Sequence, residues 1–454
     1  MPETRRVPLA GLVPVRVDEW SLFGLAFLYF FLLLCGYYLL RPLRDALVAT
    51  AGLDGMKWLF TATSAVMLLL APAYGLLVAR LRKNLLLPAV YLFFAANLLV
   101  FHELFRAGLW PGWTARLFFV WLSVFNMFVV SVFWSLMADL LSAEQARRLF
   151  GPIAAGGSAG AILGPILAHE LVGTVGAAGL VLLAAACIAA TALCIAGLRH
   201  QAARRGGMAA AVAPGHRVGG SAWAGIAALG RSRFLLAVCA LMLLGSMAAT
   251  FMYLEIVQQA GRQMLDAAER TRFFARLDLA VNSGALLVQL LLTPWLVRRF
   301  GIAAGLLLLP LLALGSFVWV ALTPTLMTLA WTQVLRRILE FGAARPSREM
   351  LFTAVDEETR FKAKNFIDTA LQRAGDTLSA WLHALLHAAG LAAGGLGLVC
   401  AGAMLAMMAL AAWIAREFER CERGLTGPPV RGPVAALHSA ATGGSSCFRK
   451  VPRP

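Results

Sequence analysis

The chain has 454 residues, 60% of them hydrophobic and 14% charged, and a formal net charge of +17. Soluble domains average roughly 45–50% apolar and about 25% charged residues, so this composition excludes a large soluble enzyme, whose surface must be covered by polar groups. The positive charge would suggest nucleic acid in a soluble protein; in a lipid-solvated chain it follows from Lys and Arg held in cytoplasmic loops, and no nucleic-acid partner is expected.

Reading along the chain, apolar segments fall near 22–40, 58–79, 85–104, 114–138, 149–171, 174–197, 234–257, 274–297, 302–323, 326–344, 365–388 and 391–414. Each must be helical, because an unpaired backbone group in lipid is too costly. The pattern predicts an all-α membrane protein of about 12 transmembrane helices in two six-helix halves, major-facilitator-like. The first stretch, Leu22 to Leu40, is too long for the apolar region of a cleaved leader and reads as the first span.

Basic residues recur after every second segment: Arg80, Arg82 and Lys83, then Arg147 and Arg148, then Arg199 to Arg233, Arg298 and Arg299, Arg360 to Lys364, and Arg416 to Arg423. They share one side of the membrane with Arg5, Arg6 and Arg16, which predicts an inner (plasma) membrane protein with both termini cytoplasmic. The expected organisation is a cytoplasmic N-terminus over 1–19, a six-helix half over 20–198, a linker over 199–233 rich in Gly, Ala and Arg, a second half over 234–414, and a disordered tail over 415–454. Two echoes support internal duplication: Leu77-Val-Ala-Arg-Leu with Leu296-Val-Arg-Arg-Phe, and Ala143-Glu-Gln-Ala-Arg-Arg with Glu357-Glu-Thr-Arg-Phe-Lys. Parallel repeats of this kind place a solute site near the midplane.

The seven cysteines (Cys35, Cys187, Cys194, Cys239, Cys400, Cys421 and Cys447) form no CxxC pair and read as small apolar fillers. There is no Walker loop, nucleophile elbow or HExxH, so neither an enzyme nor a cofactor site is expected. In the glycine run after Ala155, Gly156, Gly160 and Gly164 have the spacing that lets two helices approach closely.

Ionisable groups inside spans are expensive and default to functional candidates. They are Arg41, Arg44 and Asp45 after the first segment, Asp139, Glu255, Arg276 with Asp278, Arg336 with Arg337 and Glu340, and Lys364, Asp368, Arg373 and Asp376. Arginine's planar fork suits a phosphate or carboxylate and keeps its charge when desolvated. The abundance of guanidiniums therefore predicts an anionic solute, with the embedded acids Asp139 and Glu255 pairing the arginines when the site is empty. The opposing reading is structural: Arg337 with Glu340, and Lys364 with Asp368, have the spacing of helical ion pairs. Asp376, His169 and Glu170 are expected near a membrane face and solvated. His383 and His387, one turn apart, suit a metal or proton relay, but no further ligand converges in sequence and no metal is assigned.

At these positions the chain resembles the nucleotide transporter family, the ATP/ADP-translocase-type carriers related to the major facilitators. Leu40-Arg-Pro-Leu-Arg-Asp-Ala-Leu-Val is similar to that family's motif at the end of the first helix, with Arg44 where the family has a substrate-linked lysine. Phe133-Trp-Ser-Leu-Met-Ala-Asp with Glu144-Gln-Ala-Arg-Arg-Leu-Phe resembles its fourth-helix motif, Leu254-Glu255 its seventh helix, and Lys362-Ala-Lys-Asn-Phe-Ile-Asp with Arg373 its Lys-x-Lys-x-x-x-Asp…Arg stretch. The chain departs from the family at Pro42, at Arg44, and at Val257-Gln-Gln, where a lysine is expected. The resemblance implies exchange of ATP and ADP by alternating access. The binding set expected from spans and resemblance together is Arg41, Arg44, Asp45, Asp139, Glu255, Arg276, Arg336, Lys364, Asp368 and Arg373. The partners are a small anionic solute and the bilayer, with no obligate protein partner. The alternative is a proton-coupled major facilitator carrier, because Gly75-Leu-Leu-Val-Ala-Arg-Leu-Arg-Lys is like that superfamily's loop motif, with Ala79 in place of an aspartate.

Overall fold

The computed structural model describes residues 15–16, 19–50, 52–80, 83–204, 232–351 and 367–425. These are helical almost throughout. In chain order they give α1 (Trp20–Val48), α2 (Gly52–Arg80), α3 (Lys83–Arg106) and α4 (Pro111–Leu140). The stretch Ala143–Arg204 is broken at Gly176 (φ 65°, ψ −172°) into α5 (143–175) and α6 (177–204). Then come α7 (Arg233–Gln263) and α8, which starts at Ala267 and runs to a second break at Gly301 (φ 73°, ψ −175°). The remainder are α9 (302–322), α10 (326–351), α11 (367–388) and α12 (Ala393–Leu425). Both breaks use a backbone conformation open essentially to glycine alone, which lets one span end and the next begin without a loop.

Among the described residues, seven stretches are long and apolar enough to cross a membrane, and two of these, of 58 and 56 residues, each contain two helices. Leu69, Leu193, Leu291 and Leu322 are exposed, the disposition of side chains whose solvent is lipid. The expected segments correspond one for one to α1–α12. Most of the 199–233 linker (205–231), the tail beyond residue 425 and the basic stretch 360–364 lie outside the described residues.

The helices fall into two compact units. Unit 1 is Met1–His216 with Val257–Ser283; unit 2 is Arg217–Ile256 with Gly284–Pro454. In unit 1, α1 lies against α5 through the glycine face. A Cβ on Gly156 would stand 2.6 Å from the Phe27 carbonyl oxygen and one on Gly164 2.7 Å from that of Cys35, while Gly160 abuts the Phe31 carbonyl. The other side of α1 is aromatic: Phe30 stacks on Phe133 at 4.1 Å, and the Tyr29 hydroxyl donates to that of Tyr91, which donates to the Val129 carbonyl at 3.0 Å.

α5 opens with a reciprocal cap. The Ser142 amide donates to Gln145 Oε1 and the Gln145 amide to Ser142 Oγ. Beside it, Glu19 accepts both ends of the Arg148 guanidinium at 2.9 and 3.1 Å, together with the Gln145 amide group and the Arg16 backbone amide. Burial works to raise the Glu19 pKa, but these hydrogen bonds outweigh it and hold the carboxyl below its ordinary value.

In unit 2, α8 and α10 each carry a π-turn, Val288–Leu292 and Glu340–Ala344. The two meet: Gly342 lies against Val288, and the Thr293 hydroxyl donates to the Gly342 carbonyl at 2.6 Å. A widened turn frees a carbonyl, and here a neighbouring hydroxyl takes it.

Candidate functional site

In unit 1 the charged end of α1 turns into a knot with α5 and α8. Arg41 Nη1 lies 3.0 Å from Asp278 Oδ1, with its guanidinium over the Tyr38 ring. Arg44 donates from Nε and Nη2 to Asp45 Oδ1 at 2.9 and 2.6 Å and lies 4.8 Å from the Phe119 ring centroid. Arg270 donates to the backbone carbonyls of Ala46, Met264 and Leu265, satisfying groups that the helix ends leave open. Arg276 is exposed and donates to His169 Nε2 at 2.9 Å, which leaves His169 Nδ1 to donate to Glu170. Asn282 donates to the Ala161 carbonyl.

In unit 2, polar groups of α7 meet polar groups of α11, and α10 carries buried polar groups of its own. Arg336 is buried. Its Nε and Nη2 donate to Gln333 Oε1 at 3.2 and 3.1 Å, and no carboxylate among the described residues comes within ion-pair distance. Asp376 accepts from Ser246 at 2.6 Å, from Gln372 at 3.2 Å and from Arg373 at 3.4 Å. Its side chain is only 17% exposed, which corrects the expectation of a solvated group at a membrane face: α7 covers it, and Ser246 replaces water. Glu340 meets Arg348 at 3.3 Å, because the π-turn carries the helix face round toward the later arginine. Glu255 meets His383 Nε2 at 2.8 Å, and the His383 ring stacks at 6.4 Å on His387.

Of the expected binding residues, Arg41, Arg44, Asp45 and Arg276 thus stand in unit 1, together with Asp139, exposed at the end of α4; Glu255, Arg336 and Arg373 stand in unit 2. Lys364 lies outside the described residues, as does the Asp368 side chain. Among the described residues no three His, Cys, Asp or Glu side chains converge to hold a metal. Gln333, Ser246 and the Glu255–His383 partnership were missed by sequence reasoning. Gln333 and Ser246 are neutral and unremarkable in a span, and Glu255 and His383 are 128 residues apart.

No family model matches the chain, and no curated protein matches it. Solved structures do. A bacterial homologue of the iron transporter ferroportin, in an inward-facing state, superposes with TM-score 0.61 at 15% identity, over 88% of this chain and 98% of that one. The nucleoside transporter NupG gives 0.53 at 16% identity, over 90% and 99%. The human organic anion transporter MFSD10 gives 0.54 at 16%, over 87% and 99%. At such identities the fold is what is shared. Among the described residues the fold is all-helical and major-facilitator-like, with stretches apolar enough to cross a membrane.

Proposed function

We propose that this protein carries a small anionic solute across the membrane by alternating access, and that the solute is an adenine nucleotide exchanged as ATP against ADP. The observation that carries the reading is Arg336. A guanidinium buried in a span is expensive unless paired, and this one has only the neutral Gln333 as a hydrogen-bond partner among the described residues. An anion entering the site would supply the missing charge, and a phosphate would meet the arginine fork two-pronged.

Support for a nucleotide comes from the resemblance at Leu40–Val48, Phe133–Asp139, Leu254-Glu255 and Lys362–Asp368. Two structural neighbours, by their names, move a nucleoside and an organic anion. Arg41, Arg44, Asp45, Asp139, Glu255, Arg276, Lys364, Asp368 and Arg373 complete the proposed binding set, in an inner-membrane protein with both termini cytoplasmic. One fold hosts many solutes, so the solute must be measured.

The test is counterflow in proteoliposomes loaded with unlabelled ADP, following uptake of labelled ATP. Uptake that requires internal ADP and is lost in Arg336→Ala establishes nucleotide exchange. Absence of ATP uptake in folded protein overturns the nucleotide, and uptake that persists undiminished in Arg336→Ala overturns the anchor.

A further inference from the structure

Glu255 on α7 and His383 on α11 are buried in unit 2, at 3% and 0% exposure, with Phe251 set edge-on against the imidazole at 5.2 Å. His383 Nε2 faces Glu255 Oε1 at 2.8 Å; His383 Nδ1 is also buried and has no hydrogen-bond partner. A simple clamp between two helices would leave no such orphan, since an unsatisfied buried polar atom costs stability. A site that gains and loses a proton needs one position whose occupancy can change.

The charge count singles out the same pair. With Glu255 ionised and His383 neutral, the pair carries one negative charge inside a span. One added proton, on His383 or on Glu255, brings it to zero with the hydrogen bond intact. The titratable and charged groups around it are few. On α11, His387 lies one turn on, and Asp376 is already engaged by Ser246, Gln372 and Arg373. On α12, Cys400 stands within electrostatic reach of both Glu255 and Arg336. On α10 are Arg336 and Arg337, with Glu340 turned to Arg348. Among the described residues no Lys or Arg reaches ion-pair distance of Glu255, so a protonated His383 is its available countercharge.

We propose that Glu255 and His383 form a proton-binding site that takes up one proton per pair, and that this uptake is linked to anion occupancy at Arg336. The link rests on the anion-carrier reading above; the proton site does not. A bare Arg336 lends its positive field to the unloaded, negative dyad. An anion on Arg336 cancels that field and raises the dyad's affinity for a proton, and by reciprocity a loaded dyad favours the anion. Anion and proton then travel together, which limits the net charge carried through the membrane.

The test is a pH titration of the full chain in lipid nanodiscs, with 15N-labelled histidine, across about pH 5 to 9, bracketing the ordinary histidine pKa of about 6.5. One buried resonance should titrate, be absent in His383→Gln, and persist in His387→Gln. Glu255→Gln removes the counterion and should move its midpoint down by more than about one pH unit. His383→Gln keeps a donor facing Glu255, and unchanged melting temperatures check that the variants are folded. A His383 resonance that does not titrate in this range, or is unmoved by Glu255→Gln, overturns the proton site. Adding ATP should move the midpoint up in wild type and not in Arg336→Ala. A dyad that titrates but ignores ATP upholds the proton site and overturns its link to the nucleotide.

Discussion

The Arg41 guanidinium and the Asp278 carboxylate meet at 3.0 Å although 237 residues separate them, and the pair is largely buried. Pro42 follows directly, in the interior of α1. The pair thereby fixes the last turns of that helix against α8, beside the Arg270 contact to the Ala46 carbonyl.

Removing one partner of a buried ion pair costs about 3–5 kcal/mol, because the remaining charge is left bare. Asp278→Asn should therefore lower the melting temperature in detergent. Adding Arg41→Gln to it should recover much of the loss. A double-mutant cycle reads the coupling directly; strict additivity of the two substitutions would sink the idea that the pair acts as a unit.

The glycine face of α5 gives a sharper contrast. Gly160 abuts the Phe31 carbonyl, a backbone group that cannot swing aside, whereas nothing lies within 4 Å of a Cβ at Gly151 on the same helix. Gly160→Ala should lose about 1–3 kcal/mol through overpacking. Gly151→Ala should be neutral or gain up to about 0.5–1 kcal/mol from helix propensity. Thermal unfolding of the two variants side by side checks the sign of each.

Glu19 predicts an acid dependence. Its folded pKa is depressed, so the stability it contributes is fully present above the ordinary carboxylate value and is lost as pH falls through the lower folded value. Glu19→Gln should thus melt below wild type near neutral pH, and the gap should close on acidification. A gap that is constant with pH would mean that Arg148 and Gln145 do not stabilise the charged form.

Much of this fold was legible from hydropathy, because each span must satisfy its own backbone. The helix ends were not. α1 runs to Val48, past the expected end at Leu40, because Arg41, Arg44 and Asp45 find partners and do not stop the helix. α12 likewise continues to Leu425 beyond the apolar stretch, with Arg420 and Glu417 paired one turn apart. The spacing of Gly156, Gly160 and Gly164 did announce a close helix contact, since only hydrogen side chains permit it, but it could not name α1 as the partner. Charged candidates were visible one at a time. What was hidden was pairing: Glu255 with His383 and Arg41 with Asp278 depend on long-range topology that no local pattern encodes.

If Arg336 holds the solute as proposed, substitutions at Gln333 should separate stability from transport. Gln333 Oε1 accepts two donors of Arg336 and so fixes the guanidinium plane, while Nη1 has no hydrogen-bond partner among the described residues. Gln333→Leu removes the acceptor at similar volume. A hydrogen bond to a charged group contributes about 1.5–3 kcal/mol, so the half-saturating ATP concentration should rise about tenfold or more if the bond pre-orients the anchor. Gln333→Glu goes the other way. It gives Arg336 an internal carboxylate, which neutralises the buried charge and competes with any incoming anion. That variant should melt above wild type and yet fail to take up labelled ATP. A carrier more stable and less active is the expected mark of a binding arginine that has been supplied with a permanent partner. Gln333→Glu protein that is folded and transports ATP at the wild-type rate would show that Arg336 holds no solute.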